Sequence, residues 1–448
     1  MYVVYADMFT TPQQETLKTM LLPERHLKRF PMIGLARCVM YTKTSLNRKM
    51  YNKRPIAENI FYVGVNDRQK NLFENYLPLP EGVAYNSYLI VDEKVALVDS
   101  VDVSFADIYF AKIDAILKGR DVDYLIVNHI EPDHAGCIGL LKQKYPNIRI
   151  VGNAKTFDML NGYFGINTQL HEVKEGDTLS LGKRSLTFYM APMVHWVEVM
   201  VAYENRDKIL FSADAFGTFG VNDGDYLDSC INTDKYWDEM RRYYACIVGK
   251  FGVPTQNALK KLSALDIKTI CSTHGPVWQK ELSKVVGLYD KWSRYEAEEE
   301  GVVIAYGSMY GHTQQLTEAV AEGVVAGGVK NVVVYNVSKK DTSFILSDIF
   351  RYKALIVGSP TYMGGIYPLI EKLLSAVEHR GIKNRLYSCF GSFSWAGTAV
   401  KQLTSFAQAM NWELIGSPVE NKQAVFAEKY QAAFELGEAM AEKLKSLR

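Results

Sequence analysis

One hexapeptide constrains this chain more than any other feature: His129-Ile130-Glu131-Pro132-Asp133-His134. Four side chains with metal-binding lone pairs fall within six residues, directly after the apolar run Tyr124–Val127, which reads as a short buried strand. A metal ion needs convergent donors, and a tight loop leaving a rigid strand supplies them from a short segment. Four such residues cannot all serve a hydrophobic core. Three more candidates lie downstream, each at the end of an apolar run and before a turn. They are His195 in Pro192-Met193-Val194-His195-Trp196, Asp214 in Phe211-Ser212-Ala213-Asp214-Ala215-Phe216-Gly217, and His274 in Cys271-Ser272-Thr273-His274-Gly275. Singly, each has an ordinary reading: a structural histidine, a turn-capping aspartate, a solvated loop charge. In conjunction they predict a dinuclear metal site.

The rest of the sequence narrows the class. At 448 residues there is room for two or three domains with their own cores. A net charge of +1 gives no support to nucleic-acid binding, and no apolar run is long enough to predict a membrane-spanning helix. The six cysteines, Cys38, Cys137, Cys230, Cys246, Cys271 and Cys389, form no C-x-x-C pair. That disfavours thiolate zinc, iron–sulfur and rubredoxin-type iron sites, and a reduced, cytoplasmic protein is the expectation. Residues 1–49 are rich in Lys and Arg and lack the apolar core of a secretory signal. They read as a peripheral extension, with a basic targeting arm as the alternative, and translation from Met50 is left open.

From about residue 50 the pattern is short β runs, tight turns and flanking helices. Asn59–Val65, Tyr85–Val91, Val95–Asp99, Ile148–Gly152, Leu186–Met190, Val199–Tyr203 and Lys208–Phe211 read as strands; Phe105–Leu117 and Cys137–Tyr145 read as helices. Such a mixture predicts a layered α/β domain over 50–298. After the charged stretch Lys291–Glu300 a regular β-α alternation begins, with strands at Val302–Tyr306, Asn331–Asn336, Ala354–Gly358 and Arg385–Phe390. That predicts a doubly wound parallel sheet over 299–448.

The second domain opens with a strand, a loop and a helix: Ala305-Tyr306-Gly307-Ser308-Met309-Tyr310-Gly311-His312-Thr313. Small and hydroxyl residues at a helix N-terminus make a phosphate cradle. Neither G-x-x-x-x-G-K nor G-x-G-x-x-G is present, which disfavours nucleoside triphosphate and dinucleotide sites. Two further loops follow the third and fourth strands: Gly358-Ser359-Pro360-Thr361-Tyr362-Met363-Gly364-Gly365 and Gly391-Ser392-Phe393-Ser394-Trp395-Ala396-Gly397. Both fall at the carboxyl rim, where α/β sheets bind ligands. Tyr362 and Trp395 are candidates for stacking on a flat ring or for edge contacts to it, with plain packing as the alternative.

The set His129, Glu131, Asp133, His134, His195, Asp214 and His274 resembles the metallo-β-lactamase fold in its flavodiiron branch. The hydrolytic zinc branch carries H-x-H-x-D-H, and here Glu131 stands where the second histidine would be. A carboxylate is a harder ligand than imidazole and favours iron. The loop beginning at Ser308 resembles that of flavodoxins, which bind the single phosphate of FMN. The whole of about residues 55–448 is therefore similar to the flavodiiron proteins. The resemblance implies an αββα sandwich followed by a flavodoxin-like sheet. It implies that His129, Glu131 and His195 bind one iron, that Asp133, His134 and His274 bind the other, and that Asp214 bridges. Some members leave the residue matching His134 off the metal. The resemblance implies electron flow from an external donor, such as a rubredoxin or a flavoprotein reductase, through FMN to the iron pair. It implies reduction of oxygen to water, or alternatively of nitric oxide to nitrous oxide, in a head-to-tail homodimer. One departure is Trp196-Val197-Glu198-Val199-Met200, where many relatives carry a proline and an aspartate. A metallohydrolase fused to a flavodoxin-like domain is the competing class.

Overall fold

A computed structural model describes residues 54–447. The basic extension 1–49 and the alternative start at Met50 lie outside the described residues. The first half is a sandwich of two sheets. One runs Pro55–Ala57, Ile60–Tyr62, Tyr88–Val91, Val95–Val98, Tyr124–Ile126, Arg149–Gly152, Leu170–Glu172 in spatial order; the other runs Thr178–Ser180, Ser185–Met190, Met200–Glu204, Ile209–Phe211, Thr269–Cys271. The strand Val95–Val98 shows how the layers arise. Alternate side chains leave a strand on opposite faces. Ala96 and Val98 join Leu186, Phe188 and Phe211 between the sheets, while Val95 and Leu97 face the helix Ala106–Leu117 on the outer layer. All four are fully buried, which is why this strand reads as a continuous apolar run.

Two expected strands are broken in the structure. Asn59–Val65 divides into Ile60–Tyr62 and Val65–Asp67, which belong to different sheets. The chain crosses at Gly64, where a Cβ would lie 2.5 Å from the carbonyl oxygen of Tyr85. Tyr85–Val91 divides likewise into Val83–Tyr85 and Tyr88–Val91. The Asn86 amide in the gap donates to Ser272 O and Gly275 O, both at 2.9 Å, so it ties the break to the loop carrying His274.

The second half is a sheet in the order Val332–Asn336, Glu299–Tyr306, Tyr352–Tyr362, Leu386–Phe393, Glu413–Leu414, with parallel pairing throughout this path. In chain order this is 2-1-3-4-5, the flavodoxin-like winding, with its switch point between the first and third strands. The helices His312–Ala326 and Ala427–Lys445 pack on one face, and Gly323 and Gly437 allow backbone to touch backbone where they cross. The strands Tyr352–Tyr362 and Leu386–Phe393 run further than expected. They take in Ser359-Pro360-Thr361-Tyr362 and Gly391-Ser392-Phe393, because pairing continues to Pro360↔Ser392.

The halves are joined by two arginines, the half-buried Arg380 and the buried Arg385. Arg380 donates to Ala245 O at 2.6 Å and Cys246 O at 3.1 Å, within the π-helical turn Tyr244–Val248. A π turn leaves carbonyls turned away from the regular helical ladder, and here a guanidinium takes them. Arg385 is 2% exposed and donates only to carbonyls: Ile349, Phe350, Lys383, Asn384 and, at 2.7 Å, Tyr295 in the connecting segment. Burial pushes its pKa down to about 10. No helix among the described residues is long and apolar enough to cross a membrane.

Candidate metal centre and flavin rim

His129 and Glu131 sit where the chain leaves the strand Tyr124–Ile126. The Asp99 carboxylate holds that exit by accepting from the backbone N–H of Asn128 at 2.8 Å and of His129 at 3.3 Å. Glu131 precedes the helical turn Pro132–Ala135, whose first position is the proline, and the turn presents Asp133 and His134. Asp214 follows Ile209–Phe211 in a turn closed by Gly217 N–H to Asp214 O at 3.0 Å. His274 follows Thr269–Cys271, and its loop turns at Gly275, where φ is +75° and the lack of a Cβ matters.

The structure brings all seven predicted residues into one buried cluster. One ligand atom each from His129, Glu131, His195 and Asp214 lie within 4.8 Å of one another, and so do those of Asp133, His134 and His274. Asp214 stands between the groups. Its Oδ2 is 3.0 Å from His195 Nε2 and 3.6 Å from His129 Nε2. Its Oδ1 is 3.3 Å from His134 Nε2 and 3.6 Å from His274 Nε2.

The donor set fits a pair of cations. Both oxygens of Asp133, both ring nitrogens of His134, His129 Nε2 and His274 Nε2 are buried without a hydrogen-bond partner. Each such group costs about 1–3 kcal/mol unless something replaces the lost water. Imidazole and carboxylate without thiolate is a set suited to iron. The charge balance agrees. Burial alone would lower the histidines, but neighbouring carboxylates outweigh it. Glu131 and Glu198 bring His129 up to about 10, Asp214 and Glu131 bring His195 up to about 10, and Asp133 and Asp214 bring His134 up to about 9. Against its own burial, Asp214 is held well below the usual carboxylate range, chiefly by His134. The pocket thus demands positive charge, which two metal ions would supply.

Sequence reasoning missed the groups that brace this cluster. Glu198 accepts from His129 Nδ1 at 2.6 Å and from Ile130 N–H at 3.1 Å, so Nε2 of His129 is the atom turned to the cluster. A carboxylate behind a histidine fixes its tautomer and orientation. The signal was visible as the acid three residues after His195, noted above only as a departure. Ala84 O takes His274 Nδ1 at 2.7 Å, and the Thr273 hydroxyl donates to Asp214 Oδ1. Backbone acceptors of this kind leave no mark in a sequence. Glu74, at a hairpin tip, was also missed; burial of its carboxyl and the nearby Glu131 push its pKa up to about 7.

The three flavin loops meet at the carboxyl rim of the third sheet. The helix His312–Ala326 begins after Gly311, at φ +93°, with no side chain capping its first turn and open space at the position of a Cβ. Free N–H groups at such a terminus suit a phosphate. Thr313 Oγ1 and Ser392 Oγ lie 2.8 Å apart and join the first loop to the third. Thr361 Oγ1 accepts from the N–H of Thr398 and Ala399, which fixes the second loop against the third. Ser359 is fully buried and its hydroxyl is engaged by Pro360 O and Tyr367 N–H, inside the chain. Around the cradle Tyr310, Met363 and Trp395 are 86%, 92% and 88% exposed, and Tyr362 and Met309 are partly so. Large apolar side chains gathered beside a phosphate cradle fit a flat aromatic ring with a phosphate tail.

Comparison with known proteins agrees with both halves. The ODP family beta lactamase model matches residues 83–275, and the flavodoxin model matches 304–437. The chain is 33% identical to a nitric oxide reductase of Moorella thermoacetica over 87% of its own length and 98% of that protein. Rubredoxin oxygen:oxidoreductase of Desulfovibrio gigas superposes with a TM-score of 0.84 at 29% identity, covering 88% of this chain and 99% of that one. The flavodiiron protein of Giardia intestinalis also superposes with a TM-score of 0.84, at 26% identity over 89% and 98% of the two chains. With a shared sequence over nearly the whole length of such relatives, a lactamase-like sandwich and a flavodoxin-like sheet in one chain, this protein belongs to the flavodiiron protein family.

Proposed function

We propose that this chain is an oxidoreductase that takes electrons from a redox partner through FMN to a di-iron site and reduces oxygen to water. The observation that carries this reading is Asp214, whose two carboxylate oxygens each face a separate group of ligands. His129, Glu131 and His195 would hold one iron, Asp133, His134 and His274 the other, with Asp214 between them. When bound, FMN and the iron pair supply the electron transfer: four electrons and four protons convert O2 to two waters. The chain's own residues orient and insulate this chemistry. Glu198 and Ala84 O hold two imidazoles in register, Asp99 holds the loop, and the buried setting keeps bulk water from the donors. At the other site the N-terminus of His312–Ala326 with Ser308 and Thr313 would take the phosphate. The segments Ser359–Gly364 and Gly391–Gly397 would flank the ring, with Tyr362 and Trp395 against it.

The Moorella relative, a nitric oxide reductase, favours a second reading on the same residues: two NO, two electrons and two protons give N2O and water. The name of the Desulfovibrio relative, which pairs rubredoxin with oxygen, supports a rubredoxin as donor, with a flavoprotein reductase as the alternative. We assign the metal domain to 50–298 and the flavin domain to 299–448, which separates the sandwich strands from the parallel sheet. A head-to-tail homodimer would bring the exposed rim of one copy over the metal centre of another. The five described cysteines are all free, in keeping with a cytoplasmic setting. The test is metal analysis with NADH-coupled consumption of each gas through a matched donor. Iron and steady oxygen uptake are expected; two zinc ions and no gas consumption would sink the reading in favour of a hydrolase.

A further inference from the structure

The loop that carries His195 has a cavity on each side. The outer pocket has a volume of about 340 Å3, measured as the space open to the centre of a water-sized sphere. Its walls are mainly Val173, Met190, Pro192, Val197 and Val199, and exposed Lys155, Lys174 and Glu175 stand at its rim. The inner cavity measures about 20 Å3 in the same way and is bounded by the second sheet and the helix Gly252–Leu262. About 10–15 Å3 is enough for one water, so this space has room for a single small molecule.

The sequence shapes both walls of the inner cavity. Val199 and Val201 are two residues apart on a strand path and so share a face. Thr255, Ala258, Leu259 and Leu262 follow the spacing of one helical face. Val194 and Ala215, the chain neighbours of His195 and Asp214, also line it. The partition between the two spaces is the segment 191–199 itself. Pro192 and Val197 line the outer pocket, Ala191 and Val194 the inner cavity, and Val199 lines both.

The polar groups of the inner wall are few and mostly engaged. Ser212 donates to Ala215 O at 2.8 Å and Thr255 to Phe251 O at 2.9 Å. The Tyr289 hydroxyl makes no hydrogen bond within the chain, and one such group is a poor site for a water, which needs several polar partners. An ion would lose its hydration here with nothing to replace it, whereas a small apolar molecule loses little.

We propose that this inner cavity is a holding site for one neutral diatomic gas molecule, fed from the outer pocket past Val199. The inference rests on the functional reading above, which makes such a gas the substrate. A molecule held one residue away from His195 and Asp214 meets the cluster locally instead of by diffusion from water.

The experiment uses the full chain reconstituted with iron and FMN. Crystals pressurised with krypton are read by its anomalous scattering, and oxygen consumption is followed through a matched donor. Krypton is expected in the inner cavity of the wild type. Ala258→Leu, which fills the cavity from the helix side, is expected to exclude krypton and raise KM for oxygen by about threefold or more, with kcat within about twofold and iron content unchanged. Val199→Ile, which thickens the shared wall, should raise KM by about twofold or more with krypton still bound. Val253→Leu, on the same helix but 69% exposed, should change neither. Should Ala258→Leu lose iron or unfold, Ala258→Met, whose unbranched chain adapts to irregular gaps, is read in its place. An ordered water instead of krypton in the wild type, or an unchanged KM in a folded variant that excludes krypton, would overturn the inference. A wild type that consumes neither oxygen nor nitric oxide overturns the functional reading itself, and the gas assignment falls with it whatever the krypton shows.

Discussion

The two sites of this chain are built in opposite ways. The proposed metal ligands are enclosed: His129, His134, Asp214 and His274 are 0% exposed, and two of the imidazoles are braced from behind. The flavin rim is open, with Tyr310, Met363 and Trp395 almost entirely in solvent. The difference follows from the guests. A small cation gains its energy from a few donors fixed to tenths of an ångström, so the chain must assemble them with its own core. A flavin brings its own large apolar face, and the protein needs to supply a cradle and let the ring cover the rest.

The comparison predicts how each site fails. Asp214→Ala, which removes the group facing both halves of the cluster, is expected to abolish stable iron binding and bring turnover to background, with flavin still bound; metal analysis beside flavin absorbance checks it. Retention of turnover would mean that the enclosed site is not the reactive one. Glu198→Gln should weaken metal affinity by about 10–100-fold through His129 alone, measured by chelator competition. At the open rim, Trp395→Ala should weaken FMN by about tenfold or less, read by fluorescence quenching, with iron content unchanged. The smallest effect belongs to Met363→Ser: exposed as it is, the side chain should alter unfolding free energy by less than about 0.5 kcal/mol. A large loss of stability there would show that the rim is packed even without its ligand.

What could be read in advance follows the same division. The seven candidate metal residues stand out because their joint chemistry is incompatible with a core, and the third sheet stands out because β-α alternation is a strong periodic signal. Gly64 was passed over within one strand because its reason lies in the approach of Tyr85, far along the chain. Glu198 was seen and undervalued: an acid on a loop has the same letter whether it is solvated or holds a buried imidazole. The bond from His274 to Ala84 O was beyond reach, since a carbonyl has no residue identity. Glu74 depends on a hairpin whose strands are two residues each, too short to show a period.

The arginine joint between the halves bears on how such a chain can be cut or recombined. Arg385 is satisfied in part by Tyr295 O, and Arg380 by carbonyls of the π turn at Ala245 and Cys246. A fragment beginning at residue 299 would carry both guanidiniums without those acceptors, and a fragment ending there would leave the π-turn carbonyls bare. The flavodoxin-like half is thus no cassette to be lifted out or grafted elsewhere. Any exchange with another flavodoxin would have to import the two arginines along with the fold, or rewrite the turn that receives them.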